Sequence, residues 1–329
     1  MEQAVLEANS IEPILEANPD RYTMFPIKHW DLWKIYKQAI ASIWPVEEIN
    51  LEIDRVEFVE KLNDAERRYI ENILAFFAGA DGLVNEALAE SFLIQVQYPE
   101  ARAVYSSQIF VESVHSETYS LLIDELVRDH DRKTELFRGM YTNEATKRKA
   151  EWITKQLSGA RFVRKLIVLL IIEGVFFSSS FASIFWFRKR GLLPGLCFSN
   201  EQISKDEGLH CQTSATIYNN HIVGKMEDSE IHQLFTEATD IEKFFVDDCL
   251  KIDLIGMNSK EMKEYVEYIA DYWLEAIGHS KIYGTSNPLD FMAMIAVDGK
   301  TNFFEGRVGS YQRAGVMEGS KRFALDEEF

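Results

Sequence analysis

The chain has 329 residues, of which 47% are hydrophobic and 12% aromatic, enough to build a large core. Its 53 acidic against 35 basic residues leave a formal net charge of −18, which repels phosphate backbones and argues against direct nucleic-acid binding. The cysteines Cys197, Cys211 and Cys249 have no paired spacing and leave one over. The opening MEQAVLEANS is acidic and lacks the apolar stretch of a signal peptide. Both features suit a cytoplasmic protein in a reducing compartment.

Helical periodicity runs along almost the whole chain and no alternating strand pattern persists, so the fold class is all-α. Residues 1–20, with Pro13 and Pro19, read as a loose leader. A first helix is expected from Trp30 to Trp44, and a long one from about Asp64, its N-cap, to Gln97. Pro99 marks a break, and the next helix spans about Ala101 to Arg128. An apolar helix follows from about Ala160 to Lys189. Its stretch from Leu166 to Phe187 has a single charge, Glu173, and is long enough to cross a bilayer. No second such stretch exists and a run of three serines, Ser178 to Ser180, interrupts this one, so a buried core helix is expected, with no membrane association. After the turn RGLLPGL, Ser199 and Gln202 suggest a capping box opening the helix of Glu207 and His210. Further helices reach about Met294. The helical domain is taken as 21–300, and 301–329 as a flexible tail, Gly-rich and charged.

The informative feature is acids on apolar stripes. Ile70, Leu74, Phe77, Val84 and Leu88 share a helix face with Asp81. A buried carboxylate must be paired, protonated or bound to metal, and a salt bridge explains Asp81 alone as well as a metal does. Glu112, His115 and Tyr119 form one stripe at i, i+3 and i+7, so Glu112 and His115 can meet on one ion with Tyr119 about 6 Å further along the axis. Glu173 is followed by Phe177 and Phe181 on an otherwise aromatic face. Glu207 and His210 repeat the Glu-x-x-His spacing, and no other histidine in the chain follows a Glu by three. Two such pairs with one stranded acid on each of two further helices make the ligand set of a ferritin-like dimetal bundle. Mixed oxygen and nitrogen donors suit Fe or Mn better than Zn.

At these residues the sequence resembles the small, radical-generating subunit of class I ribonucleotide reductases, closest to the eukaryotic and poxviral branch. The resemblance runs from about Glu12 to Phe329. It rests on the blocks NPDRYTMFPI, LAFFAGADGLVNE, ESVHSETYSLLIDE, EGVFFSSSFASIFW, KRGLLPGLCFSNEQISKDEGLHC, KTNFFEGRVGSYQRAGVM and FALDEEF. It implies Asp81, Glu112, His115, Glu173, Glu207 and His210 as ligands of two metal ions per chain, Fe and/or Mn, activated by O₂ or superoxide. It implies Tyr119 as the radical-bearing tyrosine, in a pocket with Phe177, Phe181 and Ile203. It also implies a route for the oxidising equivalent from His115 through Asp206 to Trp33, with Tyr311 and Glu305 in the tail. Asp206 could accept the second ring N–H of His115. Core packing for Trp33 and a surface charge for Asp206 are the alternative readings. The implied assembly is a homodimer that docks a large catalytic subunit through Phe323 to Phe329 and is active on ribonucleotides only with it. Every ligand position is kept, unlike the metal-free subclass, and Tyr119 is kept, unlike the subclass with Phe there. Some subclasses keep this tyrosine and store the oxidising equivalent on a high-valent dimetal centre of manganese, and SETYS departs from the branch's SEMYS, so the resemblance leaves the metal and the radical role of Tyr119 open. A dimetal oxidase or oxygenase, or an iron-storage protein, is the competing reading; neither has a use for Tyr311 or the FALDEEF tail.

Overall fold

The structure is a computed structural model that describes residues 9, 11–139, 143–249 and 257–292. The elements among them are α1 (Trp30–Ala41), α2 (Glu52–Glu60), α3 (Asp64–Ala87), α4 (Pro99–Leu126), α5 (His130–Leu136), α6 (Glu144–Leu157), α7 (Phe162–Ile171), α8 (Ser178–Lys189), α9 (Pro194–His221), α10 (Asp228–Cys249) and α11 (Ser259–Ala276). A π-helical turn, Leu88–Leu93, extends α3, and another, Ile172–Phe176, joins α7 to α8. Helix α3 packs on α4 and α4 on α1, while α9 lies along α7 and α8, and α10 pairs with α6 and α11.

Local chemistry sets the helix ends. The cap of α3 is Asn63, one residue before the expected Asp64. Its side chain accepts from the amides of Ala65 and Glu66, and the Glu66 carboxylate accepts from the Asn63 amide. Pro99 opens α4 as its first residue, where the missing N–H costs nothing. The expected capping box at Ser199 does not form. Helix α9 begins earlier, at Pro194, and the Ser199 hydroxyl donates to the Leu196 carbonyl inside it. The residue before the helix, Leu193, is left-handed (φ 53°) and contributes no side-chain cap. Helix α2 supplies the cap from outside. Asp54 accepts from the amides of Gly195 (2.9 Å) and Leu196 (2.7 Å), and Glu57 accepts from that of Leu193 (2.7 Å). Gly195 permits this approach, since a Cβ there would stand 2.4 Å from the Asn50 carbonyl oxygen.

The apolar stretch is core. The part of Phe162–Lys189 apolar enough to cross a membrane is wholly enclosed by the other helices. Its serines are tolerated because Ser178 donates to the Val175 carbonyl and Ser183 to that of Ser179. The expected loose leader is tied down over its described part. Glu12 accepts from the amides of Val223 and Gly224, Ile14 is fully buried, and its carbonyl accepts from the Gln97 amide at 2.8 Å.

Asp54→Ala should destabilise the protein by about 1–3 kcal/mol, because two buried amides at the start of α9 lose their acceptor. Urea unfolding reads this out; an unchanged midpoint would refute the capping role.

Candidate metal centre

Helix α3 carries Asp81, α4 carries Glu112 and His115, the π turn carries Glu173, and α9 carries Glu207 and His210. All six side chains are buried, with His210 the most exposed at 5%. They converge in two overlapping groups whose donor atoms lie within 4.8 Å of one another. One holds Glu112, Glu173, Glu207 and His210, and the other Asp81, Glu112 and His115. Glu112 belongs to both groups. The Nδ1 of His210 stands 3.0 Å from Glu112 Oε1 and 3.2 Å from Glu207 Oε2, and that of His115 lies 3.1 Å from Glu207 Oε1. Both Asp81 oxygens, both Glu112 oxygens, Glu173 Oε2, Glu207 Oε1 and His115 Nδ1 have no hydrogen-bond partner.

So many unpaired acceptors in a dry core require positive charge among them. Burial, then the Glu112 charge, raises the Asp81 carboxyl well above its ordinary range, and burial does the same to Glu173. Burial would also raise Glu112, but the imidazoles of His115 and His210 close beside it outweigh burial and hold that carboxyl at about 2. Both imidazoles rise well above their ordinary value, because their carboxylate neighbours outweigh burial. Protons therefore balance the cluster where metal does not. Four carboxylates and two Nδ1 donors split between two overlapping groups fit a pair of Fe or Mn ions. Gln108, one turn before Glu112, went unread in the sequence. Its side-chain amide donates to Glu173 Oε1 (2.7 Å) and leaves Oε2 unpartnered. The i−4 spacing from Glu112 was the available signal.

Next to the cluster, Tyr119 is buried and its hydroxyl has no hydrogen-bond partner. Phe77 stacks on its ring with centroids 4.6 Å apart, and Phe177 and Phe181 pack on Phe77 at 5.2 and 4.9 Å. Phe77, read from the sequence only as a core position, is thus the ring in contact. Ile203 is buried as well. Burial, then the neighbouring Asp81 charge, pushes the phenol well above its ordinary value, so it stays protonated.

On the other side of His115, its Nε2 lies 3.1 Å from Asp206 Oδ2, and the same oxygen accepts from the Trp44 indole at 2.8 Å. The tryptophan on Asp206 is therefore Trp44 and not Trp33. Trp33 is half-buried on another face of α1, 5.3 Å from Tyr36 and 6.1 Å from Phe25 between centroids. Leu32 and Ile35 turn inward on α1, and Trp44 enters the core only after that helix has ended at Ala41. Tyr311 and Glu305 lie outside the described residues.

Asp81, Glu173, His115 and His210 hold protons more tightly than usual in the metal-free site, so metal must displace protons. Binding of Mn(II) should weaken as the pH falls and release protons on uptake, which calorimetry in buffers of different ionisation enthalpy measures. Uptake without proton release would contradict this charge balance.

The family "Ribonucleotide reductase, small chain" matches residues 21–288. The ribonucleoside-diphosphate reductase small chain of Trypanosoma brucei brucei is 48% identical over 322 residues, covering 97% of this chain and 95% of that one. The small chain of vaccinia virus (strain Western Reserve) is 46% identical over 321 residues, covering 97% and 100%. Among solved structures, the ribonucleotide reductase Rnr4 homodimer from Saccharomyces cerevisiae is similar with a TM-score of 0.80 at 32% identity, covering 91% of this chain and 96% of that one. The sequence resemblance and the helical fold agree with these relatives, and the chain belongs to the ribonucleotide reductase small-chain family.

Proposed function

We propose that this chain is the small subunit of a ribonucleoside-diphosphate reductase that stores one oxidising equivalent at Tyr119 for use by a large catalytic subunit. The observation that carries the reading is the buried six-residue cluster flanked on one side by Tyr119 and on the other by the His115–Asp206–Trp44 line. When bound, two Fe or Mn ions supply the oxidising power, drawn from O₂ or superoxide. The chain's own residues do the rest. Tyr119 is the residue that would be oxidised, its electron and hydroxyl proton passing to that oxidant as it is reduced toward water. Phe77 stacks on its ring, backed by Phe177 and Phe181, and none of the three offers a hydrogen to exchange. Asp206 holds His115 by its second ring nitrogen, which fixes the tautomer and turns Nδ1 toward the cluster. The indole N–H on the same carboxylate continues the hydrogen-bonded line out of the centre.

The large subunit's docking peptide is Phe323 to Phe329, where apolar and acidic residues alternate, and Tyr311 with Glu305 lies on the way to it. The assembly is a homodimer, by likeness to the Rnr4 homodimer.

Elemental analysis of native protein should find about two Fe or Mn ions per chain, and near-zero metal after reloading would overturn the reading. Assayed with the large subunit, Trp44→Phe should lose turnover while keeping its metal and its Tyr119 radical. Trp33→Phe should retain turnover. The reverse ranking would move the route back to Trp33. Tyr311→Phe should also abolish turnover with the metal site intact.

A further inference from the structure

Lys149 lies on α6 and is completely buried, as is its partner Glu242 on α10, with Nζ 2.5 Å from Glu242 Oε2. Such burial is rare for either residue type and costs several kcal/mol per ion before pairing. Nζ also donates to the Phe176 carbonyl at 2.9 Å and sits over the rings of Phe245 (3.5 Å) and Phe76 (3.8 Å). The Ser179 hydroxyl donates to the other Glu242 oxygen. Trp152, also on α6, packs edge-on against the Phe176 ring, centroids 5.3 Å apart. These contacts converge on one place, the end of the π turn Ile172–Phe176 that carries Glu173. From α11, Trp273 closes on the same turn. It lies so near Gly174 that a Cβ there would stand 2.5 Å from its indole nitrogen. The next residue, Phe177, packs on both Phe76 and Phe77, the ring stacked on Tyr119.

A π turn bonds its carbonyls at a longer spacing than the helices on either side and is a place where a helix can slip. Replacing a buried ion pair with apolar residues is often neutral or stabilising, so stability alone gives no reason for Lys149 and Glu242. We propose that Lys149, held by Glu242, is a positioning residue that pins the end of the π turn and so fixes where Glu173 meets the metal cluster. The role rests on the metal-centre reading above and adds to it a clamp from helices that contribute no ligand.

The test compares full-length wild type with Lys149→Met/Glu242→Leu, which removes both charges together and leaves neither stranded. Both are loaded with Mn(II), and metal retention is followed against a competing chelator alongside the urea midpoint. The expected result is an unfolding midpoint equal to or above wild type with metal held about tenfold less tightly, the usual scale for loss of a residue that orients a ligand. Retention equal to wild type would overturn the proposal and make the pair ordinary core packing. If the double variant fails to fold, Ser179→Ala loosens Glu242 without exposing a charge. Weaker retention there supports the clamp, and unchanged retention overturns it. A wild type that binds no Mn(II) or Fe(II) overturns the metal centre and this proposal with it, whereas a metal-loaded wild type matched by the variant overturns this proposal alone.

Discussion

Four carboxylates and two imidazoles packed into one dry volume cannot all keep their ordinary protonation without cations among them. Much of the architecture can be traced to this constraint. Each element that contributes to the cluster must bring a polar group to the centre of a core otherwise made of Phe, Leu and Ile, and must hold it there against solvent. Asp206 and Gln108 serve that end from the periphery, each bonding one atom of a ligand and leaving the rest of it to the cluster.

Regular helix geometry is given up where the centre needs it. One π turn extends α3, which carries Asp81, and the other, between α7 and α8, carries Glu173 itself. A π turn widens the ladder and re-aims a side chain that regular spacing would send elsewhere. Its looseness has to be countered from outside, and the molecule does so with Trp273 at Gly174 and Lys149 at the Phe176 carbonyl. The same logic governs α9, whose start is capped by acids of α2 more than a hundred residues earlier in the chain. In both cases the ligand-bearing element depends on helices that donate no ligand.

Burial of the apolar stretch has a similar explanation. A helix that is apolar all round needs either lipid or protein on every side. Here α9, α10 and α11 enclose it, Ser178 and Ser183 bond back to carbonyls within the stretch, and Ser179 bonds Glu242. Glu173, the one charge in the stretch, finds its partners in Gln108 and the cluster.

The sequence by itself determined the helical class, most helix positions and the six residues that meet in the buried cluster, because stripe periodicity and the repeated Glu-x-x-His are local facts that a single helix enforces. Helix starts were read to within a residue where the cap is local, as at Asn63, and missed at α9, where the cap comes from Asp54 and Glu57. The short α2, α5 and α6 were not read at all. The apolar stripe of α6 is partly replaced by Lys149 and Gln156, which are buried by pairing and not by hydrophobicity. Trp33 and Trp44 are equivalent by composition, and only the folded chain shows which indole reaches Asp206. The stack of Phe77 on Tyr119, the hydrogen bond of Gln108 to Glu173 and the Lys149 clamp are likewise contacts between distant segments. The tertiary structure alone decided them, because side-chain direction across a core depends on how whole helices cross, and no spacing within one helix carries that information.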